Sequence, residues 1–351
     1  MISDFNCPAC QSFDWIDVEQ FSLHKDDHSK APHRWRLWWK RIQRLVRTLF
    51  LARPRKQVIF CSRLNHFQRV QRKILFDVWF PSQKTVHLTS KYCKCCGLMV
   101  YEPRPTTEDV LAKYQYLNRS QHDILWKKDY SFRAQKMDRL RADRTYQTIT
   151  NHSLKKYMRV LDYGGGDGRI LLPFLENGHK TFLVDYSENQ LPGITKLAND
   201  ISEISKTEKF DIVICSHVLE HVAEPDKLLS CFHELLAEDG VIYAEVPQEI
   251  LTGIRLEDNP VMHVNFFTKN SLKTLFETQR FSVVELKQKN SHYAFFYQEV
   301  IWLVAAPVKE RLTSCIGKND VMARLQPRRF TVLKRLFLLT LKPLIYKLIS
   351  R

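Results

Sequence analysis

No uncharged apolar run in the 351 residues approaches the roughly 18 that a membrane-spanning helix requires. The longest, Val300–Val308, has nine. The opening residues, Met1–Cys10, lack the basic start and apolar core of a secretory signal and carry an aspartate and Cys-Pro-Ala-Cys instead, so the expected location is the cytoplasm. A disulfide framework is disfavoured as well. Nine cysteines, an odd number with one adjacent pair, in a chain not expected to be exported read as metal ligands and buried thiols. Hydrophobic residues at 44% and charged residues at 26% exclude a disordered or collagen-like chain. The length permits two modest domains, or one large domain with appendages.

Charge is present in excess but unevenly. Of the net +16, residues 24–104 contribute +15, 105–159 contribute +6 and 301–351 contribute +9, whereas 160–300 carry −10 and 1–23 carry −4. An acidic centre between basic arms points to a catalytic unit whose ends meet an anionic surface, either nucleic acid or membrane. Basic solvated faces are the plainer alternative.

Within the acidic centre, the β-branched run Arg159–Tyr163 ends directly in Gly164-Gly-Gly-Asp-Gly168, and Arg169–Glu176 follows as a helix. Glycines at Gly164, Gly166 and Gly168 follow Asp162 and let a ligand approach the backbone. A second apolar strand, Lys180–Val184, ends in Asp185, where a carboxylate can accept hydrogen bonds from ribose hydroxyls. The third glycine of a dinucleotide fingerprint is missing, and so is the Gly-Lys-Ser/Thr of a P-loop. A nucleoside without phosphates fits better. Phe210–Cys215 is expected as a buried strand, Pro225–Leu236 as a helix, Val241–Val246 as a strand after the break Glu238-Asp-Gly240, and Lys269–Glu277 as a helix. Phe281–Lys287 and Ala294–Val304 read as a closing hairpin that runs antiparallel to the rest of the sheet.

The ordered set of Asp162–Gly168, Asp185, Phe210-Asp211, Ser216–Val222, Ala237–Gly240 and His263–Thr268 resembles class I S-adenosylmethionine-dependent methyltransferases. It is similar in particular to the small-molecule group that includes ubiquinone-biosynthesis O-methyltransferases, and the resemblance covers about residues 155–305. The resemblance implies an α/β fold with a Rossmann-like seven-stranded sheet whose last strand is antiparallel. It also implies that Asp162–Gly168 cradle the methionine part of the cofactor, that Asp185 holds the ribose, that Asp200 and Ile201 flank the adenine, and that Ser216 and His217 lie beside the cofactor. Pro192-Gly193 should shorten or break the second helix of the fold. Methyl transfer to a hydroxyl needs a base of near-neutral pKa. His217, His221 and His263 fall in loops at the carboxyl ends of strands, with His263 preferred for that role.

Outside this unit, Cys7-Pro-Ala-Cys10 and Cys93-Lys-Cys-Cys96 supply two C-x-x-C knuckles, a thiolate set suited to structural zinc. Cys95 is left over or competes with Cys93. The stretch Gly97–Thr106 resembles the junction in bacterial methyltransferases with an N-terminal zinc module, many of them similar to sugar or polysaccharide methyltransferases. The expected organisation is a zinc module over 1–105 with a basic amphipathic insertion at about 11–92, a helical linker or substrate lid over 106–154, the methyltransferase domain over 155–305, and a basic apolar extension over 306–351. In the insertion, Trp35, Trp38, Trp39, Ile42, Leu45, Val46, Leu49 and Phe50 share an arc of about 140° at helical periodicity, with arginines opposite. Such a helix lies in an anionic membrane interface or packs on its own domain. Arg328–Arg351 forms a second membrane contact or packs on the core.

Three functions follow. The first is methyl transfer to a small polar or glycan acceptor, including a nucleotide- or lipid-linked sugar, on the inner face of the cytoplasmic membrane. The second is RNA methylation, with the basic zinc module holding phosphates, although Cys215-Ser-His-Val stands where base-amino methyltransferases often carry Asn-Pro-Pro-Tyr. The third is a non-catalytic scaffold, for which loss of Asp185 or of the glycines would be expected, and all are present.

Overall fold

The computed structural model describes residues 5–25, 57–58, 66–119, 132–152, 155–250, 261–293 and 296–312. The tryptophan-arginine segment at 34–50 and the extension at 328–351 lie outside these residues. No helix among the described residues is long and apolar enough to cross a membrane.

The amino-terminal part is a four-stranded sheet in the order β2-β1-β3-β4, from β1 (Trp15–His24), β2 (Gln57–Val58), β3 (Thr85–Cys93) and β4 (Met99–Glu102). β1 and β3 run antiparallel, with Trp15 opposite Cys93 and His24 opposite Thr85. The two ends of the expected insertion are therefore partners in one sheet, and that pairing brings both C-x-x-C knuckles to the same end. α1 (His66–Lys73) runs into a π-helical turn, Ile74–Trp79. Ile74, Leu75 and Phe76 of that turn are buried with Phe21, Val86 and Leu88 of the sheet. α2 (Thr107–Arg119) starts at a reciprocal cap, in which Asp109 accepts from the Thr106 N–H and the Thr106 hydroxyl accepts from the Asp109 N–H.

The second sheet has seven strands. In chain order its elements are α3 (Phe132–Thr150), β5 (Arg159–Tyr163), α4 (Leu172–Glu176), β6 (Lys180–Val184), β7 (Thr195–Ala198), β8 (Phe210–Ser216), α5 (Pro225–Leu235), β9 (Leu236–Pro247), α6 (Lys269–Thr278), β10 (Phe281–Tyr293) and β11 (Phe296–Pro307). The strand order is β10-β11-β9-β8-β5-β6-β7. The two-residue period of the buried strands divides the core in two. Val160, Ile212, Ile214 and Tyr243 face α3 and α4, while Leu161, Val213, Ile242 and Ala244 face α5 and α6. Both faces are covered, which is why these strands read as continuous apolar runs. α3 contributes Ala142 and Ile149 to this packing, so it forms one layer of the fold.

The expected hairpin of β10 and β11 is present, and β11 pairs antiparallel with β9, Ile301 opposite Val246. This strand, the last among the described residues, sits between β9 and β10, one position in from the sheet edge. Glu238-Asp-Gly240 marks the expected break as an interruption of the β8–β9 ladder, whose partners jump from Phe210–Leu236 to Ile212–Val241. Among the described residues no helix joins β6 to β7, so Pro192-Gly193 replaces it by a turn.

The two sheets are tied together. Met99 of β4 exchanges both backbone hydrogen bonds with Phe266. The Asn270 amide donates to the Cys96 carbonyl and the Thr278 hydroxyl to that of Ala9. Arg104, 3% exposed, donates to the carbonyls of Val264 and Ala223 and to Asn265 Oδ1, so a buried cation is held entirely by fixed acceptors.

Candidate cofactor and acceptor site

β5 delivers Asp162 to the carboxyl end of the sheet, and the chain then folds back over it. A Cβ built on Gly165 would lie 1.8 Å from Asp162 Oδ2, so no side chain fits at that position. Sequence spacing singled out Gly164, Gly166 and Gly168, which have positive φ. Gly165, between the first two of these, is instead required by space. Gly166, at φ +65°, has nothing within 4 Å of a built Cβ, and its open side is where a ligand can lie against the backbone. Asp162 is 1% exposed, and its Oδ2 has no hydrogen-bond partner. Burial pushes its pKa up to about 8, with Asp185 and Asp167 adding to the rise and Arg141 opposing it.

Asp185 closes the other side of the loop. Its Oδ2 accepts from the Gly166 N–H at 2.9 Å and its Oδ1 from the Ser187 N–H at 2.7 Å. Burial raises its pKa, against those two amides. A carboxylate has about four lone-pair sites, so two remain for a ligand. Asp200 caps a short 3₁₀ turn, Ile201–Glu203, accepting from the Ser202 N–H and from the Tyr186 hydroxyl. That contact places Asp200 and Ile201 on the same side of the sheet end as Asp185.

Ser216 ends β8, and it and the following His217 are drawn into a buried polar cluster. Glu245 of β9, 0% exposed, binds Arg141 Nε at 3.0 Å, Arg144 Nη2 at 2.9 Å and the Tyr243 hydroxyl at 3.0 Å. Arg141 also bonds the Ser216 hydroxyl. His217 adopts φ +57° and faces two carboxylates, Glu220 through Nδ1 at 3.2 Å and Glu245 through Nε2 at 3.4 Å. Burial alone would lower its pKa, but these carboxylates hold it above the ordinary value. Burial likewise works against ionised Glu245, and Arg141, His217 and Arg144 hold its pKa well below the usual range. The cluster fastens α3 to the carboxyl end of β8 and β9. The Arg141, Arg144 and Glu245 set carries no local sequence motif and was not legible before the fold.

One turn further on, Glu220, His221 and His263 converge. One ligating atom from each lies within 4.8 Å of the others. Burial would raise the pKa of Glu220, yet bonding to His217 and the field of His221 push it down to about 2. Burial pushes His221 down to about 3, so its ring is neutral. His263 is anchored through Nδ1 to Glu249, 2.7 Å away. Of the three expected catalytic histidines, the fold brings His221 and His263 together and turns His217 into the protein.

The four expected metal-ligating sulfurs also meet. Cys7 and Cys96 are 3.5 Å apart at sulfur, as are Cys10 and Cys93, and all four lie within 4.8 Å of one another. Sulfurs bound at about 2.3 Å around a tetrahedral ion are about 3.8 Å apart, so the set fits such an ion with all four positions filled. Cys95 stands outside it, with its thiol donating to the Ser12 hydroxyl.

Residues 131–286 match the family model described as "Methyltransferase domain". Ubiquinone biosynthesis O-methyltransferase of Rickettsia akari (strain Hartford) is 26% identical over 134 residues, which is 34% of this chain and 51% of that protein. The tRNA 5-carboxymethoxyuridine methyltransferase of Escherichia coli (strain K12) is 30% identical over 101 residues, 24% of this chain and 38% of that one. The chain thus spans at most about half the length of these curated relatives. The solved 1,6-didemethyltoxoflavin-N1-methyltransferase of Burkholderia thailandensis, bound to 1,6-didemethyltoxoflavin and S-adenosylhomocysteine, is 18% identical with a TM-score of 0.44, covering 60% of this chain and 96% of that one. Residues 131–286 thus match a methyltransferase domain, and the seven-stranded order with its antiparallel β11 and the glycine loop over Asp162 is that of the class I methyltransferase fold.

Proposed function

We propose that this protein binds S-adenosylmethionine and transfers its methyl group to a small polar acceptor, while the four cysteines hold a structural zinc ion. The observation that carries the reading is the buried, unpartnered Asp162 beneath Gly165 and the open backbone of Gly166. Asp162 would face the amino-acid part of the cofactor, and the spare lone pairs of Asp185 would accept the ribose hydroxyls. Asp200 and Ile201 would border the adenine. Bound there, the cofactor supplies an electrophilic methyl group on a sulfonium. Glu220, His221 and His263 would meet the acceptor and ready its nucleophilic atom.

Calorimetric titration of S-adenosylmethionine and S-adenosylhomocysteine into the full chain tests this. Binding to the wild type is expected, weakened about tenfold or more in Asp185→Ala, because a hydrogen bond to a charged group contributes about 1.5–3 kcal/mol. Failure of the folded, metal-loaded wild type to bind either compound would leave the scaffold reading in its place.

A glycan or lipid-linked acceptor on the inner face of the cytoplasmic membrane is the finer proposal, and it is supported by sequence alone, through Trp35, Trp38 and Trp39 beside an apolar face and arginines opposite. Flotation with anionic vesicles should carry the wild type upward and leave a triple Trp→Ala variant behind. RNA as acceptor is the second reading, favoured by the similarity to the tRNA methyltransferase and by the +15 of residues 24–104. No flotation, together with RNA binding that weakens steeply with salt, would put it first.

A further inference from the structure

Glu220, His221 and His263 hold more order than an acid–base group requires. The Nδ1–H of His221 donates to the Met262 carbonyl at 2.7 Å, and a carbonyl only accepts, so Nε2 of that ring carries the lone pair. Nδ1 of His263 is likewise committed, to the Glu249 carboxylate, which leaves Nε2 facing inward. The two rings meet edge to face with centroids 4.7 Å apart. Glu220 is 1% exposed, its Oε1 is engaged by His217, and its Oε2 is buried without a hydrogen-bond partner. Histidines that ligate metals nearly always donate their other nitrogen to a carboxylate or a backbone carbonyl, and both arrangements are present here. A buried carboxylate oxygen with no donor, beside two imidazoles whose Nδ1 atoms are already engaged, is a donor set suited to a cation.

We propose that Nε2 of His221, Nε2 of His263 and the carboxylate of Glu220 bind a divalent transition-metal ion, at a site separate from the four cysteines. Two imidazoles and one carboxylate suit Zn²⁺, Mn²⁺, Fe²⁺ or Co²⁺, whereas Mg²⁺ and Ca²⁺ favour all-oxygen shells. His221 Nε2 stands 3.9 Å from Glu220 Oε1, whereas ligands about 2.1 Å from an ion are roughly 3.0–3.4 Å apart, so binding would draw the two slightly inward. Lys113 opposes it. Its Nζ donates to the carbonyls of Val261 and Met262, which already meet part of its charge. Three protein ligands leave coordination positions open, and the acceptor class they fit is a small molecule offering a hydroxyl or carboxylate oxygen. That last clause rests on the proposed function, whereas the binding of the ion does not.

Cobalt titration followed by absorption spectroscopy separates the two sites, because a thiolate site gives an intense sulfur-to-metal charge-transfer band and a histidine-carboxylate site gives weak ligand-field bands alone. The full wild-type chain is expected to bind about two Co²⁺ in all, consistent with one ion at each set, the non-thiolate one lost in His263→Asn and in Glu220→Gln. Retention of the thiolate band and of cofactor binding in those variants reports that they fold. A wild type that takes up only thiolate-bound cobalt, or variants that keep the second ion, would overturn the proposal. If the second ion binds while S-adenosylmethionine does not, the methyltransferase reading fails and the metal site stands.

Discussion

Cys93→Ser is expected to abolish the proposed zinc binding and lower the melting temperature by about 10 °C or more. Structural zinc contributes about 10–16 kcal/mol in small zinc domains at neutral pH, and about 1 kcal/mol corresponds to about 2–4 °C in domains of roughly 150–250 residues. The loss here is not confined to a peripheral knuckle. Cys7 and Cys93 are 0% exposed and belong to the same buried cluster as Leu228, Phe232 and Leu272 of α5 and α6. Without the ion, the thiols would be left in an apolar interior and the end of the β1–β3 pair would lose its clamp. The hydrogen bonds from Asn270 and Thr278 to the knuckle backbones would go with it. Cys95→Ser is the control, expected to shift melting little, since that thiol bonds only Ser12 among the contacts of its side chain seen here. Metal content by mass spectrometry, read beside thermal melting, gives the answer. A Cys93→Ser protein that keeps its metal and melts like wild type would refute the zinc clamp.

The second large effect concerns Asp162. Burial raises its pKa to about 8 in the folded protein, against about 3.9 for an unperturbed aspartate. A raised folded pKa favours the protonated form, so its contribution to stability is complete below about pH 4 and is lost progressively as the pH climbs to about 8. The contribution is on the order of 5–6 kcal/mol. The free protein should therefore melt lower at pH 8 than at pH 5, and Asp162→Asn should melt higher than wild type at pH 8 while differing little at pH 5. Binding should move the opposite way. The cofactor's ammonium group would favour the ionised carboxylate, so wild-type affinity should strengthen from pH 6 to pH 8, whereas Asp162→Asn should bind about tenfold or more weakly. Melting curves across pH 5–9 and calorimetry at pH 8 measure both. An asparagine variant less stable than wild type at pH 8 would show that the carboxylate is stabilised where it stands. The opposed signs are those of a site that keeps an unfavourable buried charge for a ligand.

Much of the cofactor side was legible because its chemistry is carried by neighbours in sequence. A strand ending in aspartate, a turn of glycines and a second strand ending in aspartate are all short-range patterns, and β5, the glycine loop and β6 occupy the expected residues. Gly165 was passed over because its requirement is a clash with Asp162, which depends on how the loop folds back and not on the spacing of glycines. His217 shows the converse dependence on the fold. One residue past β8 it is adjacent in sequence to the cofactor loops, yet its positive φ carries the ring to Glu220 and Glu245.

By itself the sequence determined the period of the buried strands, the turn chemistry around Asp162 and Asp185, and the presence of two cysteine pairs. Each rests on backbone geometry extending over a few residues, where spacing translates directly into direction. Only the tertiary structure decided which distant groups meet: Cys10 with Cys93, 83 residues away, His221 with the Met262 carbonyl, 41 away, and Arg144 with Glu245, 101 away. It also excluded Cys95 from the sulfur set and gave both site histidines fixed tautomeric partners. These outcomes depend on strand order and on which faces pack, and residues far apart in the chain carry no local signal of one another until the core has closed around them.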